Sequence, residues 1–275
     1  FDVYWVADGL SGDKMRKYGA NVFEAPIAAN PLFYRPVDVP QGIDVSFCGQ
    51  RYGSRSYYVE ELARREIAVD VSGVGWTSSS EGIPTGHRTR LKLLPALRHV
   101  AASMHHSHGR TWARAALLRR LRKKKSDPQL QEWISQNAHP PAPYSEIAKL
   151  YSRSKLTLGF SEFADTYLLK NPLVSFRSRD MEAFAAGACH LIYRFPFAEE
   201  HFEEGKEVVF YSSADELADK IRYYLDPRRD ALRAEIGRNA RARIVESHTW
   251  THRFMKIFEM LGMPNESLST GGVDV

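Results

Sequence analysis

The sequence predicts an α/β fold: a Rossmann-like parallel sheet with helices on both faces, carrying a basic helical insertion. Three observations predict it. Residues 44–73 read strand, glycine-bearing loop, helix, strand, the order of a right-handed parallel unit. Residues 175–211 pass from charged and hydroxylated residues into a small-residue helix ending at Gly187, then a short apolar strand, an acidic helix and a second strand. Finally, 275 residues with 43% hydrophobic and 26% charged side chains can bury a sizeable core of ordinary globular type.

Taken in order, residues 1–7 (F-D-V-Y-W-V-A) read as a buried strand ended by Asp8-Gly9. A short helical piece at 14–18 and a strand at 21–25 follow. Pro26, Pro31, Pro36 and Pro40 then forbid a helix interior and favour an extended connector, so a domain junction is expected there. Residues 44–49 (D-V-S-F-C-G) are a strand ending in glycine. Ser54 is a candidate cap for a helix running to about residue 65, with Tyr58 and Leu62 on its apolar face. The next strand is 67–73.

Gly75-Trp76 opens a departure from the sheet, with helices expected at 91–104 and 110–125. Residues 144–154 form an amphipathic helix with Ser145 as a cap, and 155–160 a strand. After the 175–211 stretch come a helix over 214–225 stopped by Asp226-Pro227, a charged helix over 228–247, and a last helix from Trp250 through Leu261. The expected divisions are a linker-bearing segment at 1–40, a main domain at 41–262 with its basic insert at about 77–143, and a disordered tail at 263–275.

The net charge of +5 conceals an asymmetry. Residues 77–143 hold twelve Lys and Arg against three Asp and Glu, while the remainder holds 26 basic against 30 acidic. Acidic partners therefore belong to one segment: an anionic membrane surface or acidic polymer, met by the run that opens at Arg110 and closes at Lys125. A solvated basic helix explains the same run. Nucleic acid is disfavoured, because Trp112 is the run's one aromatic and no stacking series exists.

His105, His106 and His108 lack a nearby carboxylate or cysteine, and His248 and His252 lack a third ligand, so no metal is expected at either group. Cys48 and Cys189 read as reduced buried thiols, in keeping with a cytoplasmic, possible membrane-associated setting. No apolar run reaches the length of a membrane span.

Two loops carry ligand chemistry. Gly49-Gln50-Arg51-Tyr52-Gly53-Ser54-Arg55 joins a strand to a helix at the carboxyl edge of the sheet, where open α/β folds bind ligands. Gly49 permits close backbone approach, and Arg51 or Arg55 can neutralise a phosphate. The plainer reading is a glycine-rich turn with surface arginines. The second loop leads into the helix beginning at Ser178, whose amino terminus offers exposed N–H groups and partial positive charge. Arg177 and Arg179 suit a diphosphate, and Glu182 can accept two vicinal hydroxyls, as from a ribose. Asp180 is as well placed to cap the helix as to touch a ligand. An acidic first turn complementing the helix dipole needs no ligand at all.

The segments D-V-S-F-C-G-Q-R-Y-G-S-R, L-Y-S-R-S-K-L-T-L-G-F-S, L-V-S-F-R-S-R-D-M-E-A-F-A-A-G-A, E-E-G-K-E-V-V-F-Y and H-T-W-T-H-R-F occur in that order over residues 44–261. In order and spacing they resemble the carboxyl-terminal domain of GT-B glycosyltransferases, specifically the CgeB-like spore-maturation group. The resemblance implies that Glu182 holds the nucleotide ribose, with Arg177 and Arg179 near the diphosphate. It implies sugar transfer from a nucleotide-diphosphate sugar to an unknown acceptor, without cofactor or metal ion; the absence of a D-x-D sequence agrees. The paired glutamates of related retaining enzymes are not matched, since Ser175 stands seven positions before Glu182.

By the same resemblance, residues 1–35 correspond to the last βαβ piece of a first domain. The remainder of that domain would hold the acceptor side and the general base, and the helix near Trp250 would pack back onto it. The alternative is a non-catalytic module that binds nucleotide or an anionic partner through the basic insert.

Overall fold

The computed structural model describes residues 2–8, 11–77, 108–122 and 127–263. The helix expected at 91–104, the lysines at 123–125, His105, His106 and nearly all of the expected tail lie outside the described residues. The chain opens with β1 (Tyr4–Val6), α1 (Gly12–Lys17) and β2 (Val22–Glu24), and β1 pairs in parallel with β2. This is the βαβ piece expected of the first 35 residues.

Six strands form the main sheet: β3 (Ile43–Cys48), β4 (Asp70–Ser72), β5 (Ala138–His139), β6 (Ser154–Gly159), β7 (His190–Tyr193) and β8 (Val209–Tyr211), in the order β5-β4-β3-β6-β7-β8. The helices are α2 (Ser54–Ala63), α3 (Gly109–Leu121), α4 (Pro128–Gln136), α5 (Tyr144–Arg153), α6 (Ser178–Ala185), α7 (Pro196–Glu199), α8 (Ala214–Leu225), α9 (Asp230–Ser247) and α10 (Trp250–Met260). The α/β class expected from the sequence is the observed one. Residues 77–143, read as a helical insert, also return β5 to the edge of the sheet beside β4. A two-residue strand is too short to show period-two patterning, so the sequence carries no signal for it.

By density of contacts the chain divides into two units, Phe1–Ser46 with Pro143–Ser161 and Ser175–Val275, and Phe47–Ala142 with Glu162–Val174. In the first, β3 pairs with β6 through Val45 and Leu156, β6 with β7, and β7 with β8, all parallel. Strand order reverses between β3 and β6, since β4 and β7 lie on opposite sides of that pair. Leu156, Leu191, Ile192, Val209, Phe184 and Leu217 are fully buried there, each stabilising the fold by about 1.5–3 kcal/mol.

Helix α6 ends as its small residues predict. Gly187 has φ +73°, and the N–H groups of Gly187 and Ala188 donate to the carbonyls of Phe184 and Ala183 at 3.0 Å each, a Schellman closure. Gly237 of α9 lies against the Gly187 carbonyl, where a Cβ would collide. Helix α10 packs on the amino-terminal piece: the Trp250 and Trp5 rings meet edge-on with centroids 5.7 Å apart, and Arg253 Nε donates to the Pro26 carbonyl at 2.8 Å.

Two expected caps differ. Helix α2 starts after Gly53, at φ +57°, and Ser54 is its first residue; its hydroxyl donates to the Glu162 carbonyl at 3.4 Å instead. Helix α5 starts at Tyr144 after Pro143, with no side-chain cap, so Ser145 is inside the first turn. Pro143 occupies the cap position itself, with the extended backbone its ring favours. Cys48 and Cys189 are both buried free thiols, and burial pushes the Cys189 thiol up to about 12.

Candidate functional site

The amino terminus of α6 is built by a reciprocal cap. The Asp180 N–H donates to the Arg177 carbonyl at 2.9 Å, and the Asp180 carboxylate accepts the Arg177 N–H at 2.6 Å. Of the two roles open to Asp180, this is the capping one. Its other oxygen lies 3.1 Å from His190 Nε2, and His190 Nδ1 lies 2.7 Å from the Thr157 hydroxyl. Asp180, His190 and Thr157 are all fully buried, so the trio anchors the helix start to β6 and β7 rather than meeting solvent. Gly159 is the residue that allows this: a Cβ there would strike the Asp180 carboxylate and the His190 ring.

Outside that anchor stand the predicted ligand groups. Ser178 is exposed at the helix start. Arg177 turns back and donates to the Ser161 carbonyl at the end of β6, at 3.1 Å. Arg179 Nη1 pairs with Glu182 Oε2 one turn along the same face. The Arg179 guanidinium also lies over the Tyr144 ring, 5.3 Å from its centroid, and the Tyr151 hydroxyl donates to the Arg179 carbonyl at 3.3 Å. Glu182 is 8% exposed, a carboxylate nearly out of water yet compensated by a cation.

A second group meets Glu182 that the sequence reading did not include. Tyr34, from the proline-punctuated connector, places its hydroxyl near Glu182 and Arg179. Burial first, then the Glu182 charge, push the Tyr34 hydroxyl up to about 12. Tyr34 and Tyr144 each sit beside prolines, in L-F-Y-R-P and P-P-A-P-Y, so an aromatic held by a stiff backbone was the available signal.

The loop with Gly49, Arg51 and Arg55 lies in the other unit and is described by itself. The Gly49 and Arg51 N–H groups donate to the Ser72 and Val74 carbonyls, each at 2.9 Å, so the loop's backbone is tied to the end of β4. The Trp76 indole donates to the Gly49 carbonyl at 2.7 Å. Arg51 is held inward by Gln131 and Glu60 and lies over Trp76, its guanidinium 5.3 Å from the ring centroid. Arg55 donates to the Gln50 carbonyl at 3.2 Å and lies over Tyr52 at 4.6 Å. Gly53, with positive φ, lets the loop approach the Ala164 carbonyl. Beside it the Tyr58 hydroxyl donates to the buried Glu162 carboxylate at 2.7 Å.

The family profile described as glycosyl transferase-like matches residues 55–259. The chain belongs to this family. Its fold is that of GT-B glycosyltransferases: sucrose-phosphate synthase from Thermosynechococcus elongatus aligns over 95% of this chain and 58% of its own, at 14% identity and TM-score 0.56. Anabaena Alr3699/HepE, solved in complex with UDP, aligns over 95% of this chain and 64% of its own, at 13% identity and TM-score 0.61. TarM of S. aureus aligns over 94% of this chain and 43% of its own, at 13% identity and TM-score 0.55. The chain thus spans 58% and 64% of the first two of these neighbours. No curated protein sequence matches it.

Among the described residues of this glycosyltransferase-like chain, no group of three or more His, Cys, Asp or Glu side chains is placed to hold a metal ion. Nor is any described helix long and apolar enough to cross a membrane. His248 and His252 have packing and capping roles: His252 closes the cap of α10 with Thr249, and His248 Nδ1 accepts from Arg253 Nη2 at 2.6 Å.

Proposed function

We propose that the chain carries the nucleotide-sugar site of a glycosyltransferase, with Glu182 receiving the ribose hydroxyls. The observation that carries this reading is a nearly buried carboxylate, one turn into a helix, balanced by one arginine and one tyrosine. The two oxygens of a carboxylate in that place can each accept one of two vicinal hydroxyls. The diphosphate meets the α6 amino terminus at Ser178 with Arg177 and Arg179. Arg179 then exchanges its Glu182 partner for phosphate oxygen, and its planar fork suits either acceptor. Asp180 sets the helix start. Gly49, Arg51 and Arg55 are proposed phosphate contacts on their own loop, with Arg51 released from Glu60. UDP is the first nucleotide to test, because HepE is solved with UDP and with UDP-glucose.

In the transfer, the acceptor oxygen bonds to the anomeric carbon while the bond from that carbon to the diphosphate oxygen breaks. The departing diphosphate keeps the electron pair, and positive groups stabilise it where a divalent ion would otherwise serve. The acceptor's proton passes to a base outside the residues named here. Residues 1–40 are proposed to be the end of an amino-terminal GT-B domain, 41–262 the donor domain, and the subtype CgeB-like, acting in the cytoplasm. Calorimetry with UDP and GDP tests the site: binding is expected, weakened about tenfold or more in Glu182→Ala and Arg179→Ala. Absence of binding to any nucleotide, or equal binding by both variants, overturns it.

One observation favours a second reading for the basic segment. Leu117 and Leu121 of α3 are 57% and 74% exposed. Arg110, Arg114 and Arg120 are exposed on the same helix. Exposed leucines framed by arginines suit the surface of an anionic bilayer better than an acidic polymer.

A further inference from the structure

A cavity of about 260 Å³ lies where the connector residues Pro36 and Val37 meet α9, with Ala188 and Cys189 forming part of its wall. It sits at the carboxyl end of α6, beside Ala186 and Gly187, and at the amino end of β6, beside Ser154 and Lys155. The proposed diphosphate end of α6, at Ser178, is the opposite end of that helix, whose eight residues span about 12 Å. The cavity is therefore distinct from the proposed phosphate contacts, with Glu182 between the two near the middle of the helix.

Its charge is one-sided. Lys155, Arg233, Arg238 and Arg241 line it against a single carboxylate, Asp230. Asp230 is already committed to Arg233, at 2.5 Å, and Lys155 has Asp44 outside the cavity wall, at 2.6 Å. The two remaining arginines have no carboxylate partner among the described residues. Arg241 directs one nitrogen, Nη1, at three carbonyls: Ala185 at 2.6 Å, Tyr34 at 3.3 Å and Pro31 at 3.4 Å. Its Nε and Nη2 make no hydrogen bond to the described residues. Burial, and then the charge of Arg35, pull the Arg241 guanidinium below its ordinary range, the direction expected of a cation short of anionic compensation.

We infer that this cavity binds a small phosphate-bearing anion, its phosphate between Arg238 and Arg241 with Lys155 adjacent. Two guanidinium groups present the paired donors that match phosphate oxygens. The volume exceeds that of a phosphate alone, and Pro36, Val37 and Cys189 offer apolar surface to an organic remainder.

The test is calorimetric titration of the full chain with inorganic phosphate and, separately, with glycerol 3-phosphate. Arg238→Gln, Lys155→Gln and Arg179→Ala are titrated alongside, with circular dichroism to confirm folding. Arg238 is exposed, so its replacement leaves the core intact. Saturable binding is expected, weakened about tenfold by Arg238→Gln and further by adding Lys155→Gln, and unchanged by Arg179→Ala. Tighter binding of glycerol 3-phosphate identifies an organic phosphate as the occupant, and equal binding identifies the free ion. No saturable binding of either probe overturns the inference. So does binding unaffected by the double variant, or binding lost in Arg179→Ala, which would put the anion at the amino end of α6. Failure of the UDP experiment leaves this result standing, because the two sites are read with different variants.

Discussion

The Tyr34 hydroxyl lies beside the Glu182 carboxylate, bringing a residue of the proline-rich connector to the first turns of α6. Its consequence is that the carboxylate proposed to receive ribose is flanked on two sides, by the Tyr34 hydroxyl and by its ion-pair partner Arg179. Tyr34 is itself held in place from behind, because Arg241 binds its carbonyl.

Tyr34→Phe should loosen this arrangement without opening a cavity. Removing the hydroxyl that faces the carboxylate should lower nucleotide affinity by a few-fold, about 1 kcal/mol. The pH dependence has a definite sign. The folded-state pKa of about 12 lies above the ordinary value of 10.0, so the protonated phenol is favoured by folding. Its contribution is full below pH 10 and is lost as pH rises toward 12. Ultraviolet titration should show one fewer late-ionising tyrosine in Tyr34→Phe. Tyr167 and Tyr224, also pushed up to about 12, remain in the variant as internal references. An unchanged high-pH absorbance step would refute the contact.

Asp180→Ala should destabilise the fold strongly, since it strands the Arg177 N–H and the His190 ring together. Loss of a cap costs about 1 kcal/mol, and an unsatisfied buried partner adds about 1–3 kcal/mol. Urea denaturation measures the sum. Asp180→Asn keeps an acceptor for the Arg177 N–H and should recover part of the loss; equal losses in both variants would argue against the cap.

His248 gives the acid side of the stability profile. Burial first, then the Arg253 charge, lower its pKa from 6.5 to about 3. Neutral His248 accepts from Arg253, so its contribution is full above pH 6.5 and is lost as pH falls toward 3. His248→Gln should flatten the slope of stability between those limits. Thermal denaturation at several pH values reads it, and an unaltered slope would count against the assignment.

For α3, sedimentation with vesicles tests the membrane reading. Binding is expected to vesicles containing phosphatidylserine, to weaken as salt rises, and to fall about tenfold or more in Leu117→Asp with Leu121→Asp. Equal partition to neutral vesicles, or none to either, would refute it, whereas salt-sensitive binding only to an acidic polymer would favour that partner instead.

Much of the fold was legible because hydrophobic period and punctuation act locally. The stop at Asp226-Pro227, the glycine closure at Gly187 and the strands around Val45, Leu156 and Leu191 follow from backbone limits that each residue imposes on itself. The caps at Ser54 and Ser145 were misread for the opposite reason. Gly53 and Pro143 occupy the cap positions themselves, which puts Ser54 and Ser145 one and two residues inside their helices.

Within the candidate site, Glu182, Arg177 and Arg179 could be read from composition at a helix start, since charge and helix dipole act over one turn. The sequence by itself thus determined the α/β class, the helix that carries the carboxylate and the segment that holds the basic charge. Only the tertiary structure decided that Asp180 caps while Glu182 pairs with Arg179, that Arg51 turns inward, and that Tyr34 comes beside Glu182. Those outcomes depend on contacts such as His190 with Thr157 and Arg51 with Gln131, between residues 33 and 80 positions apart in the chain. Periodicity records which face of an element is buried, but not which distant partner a charged side chain will find.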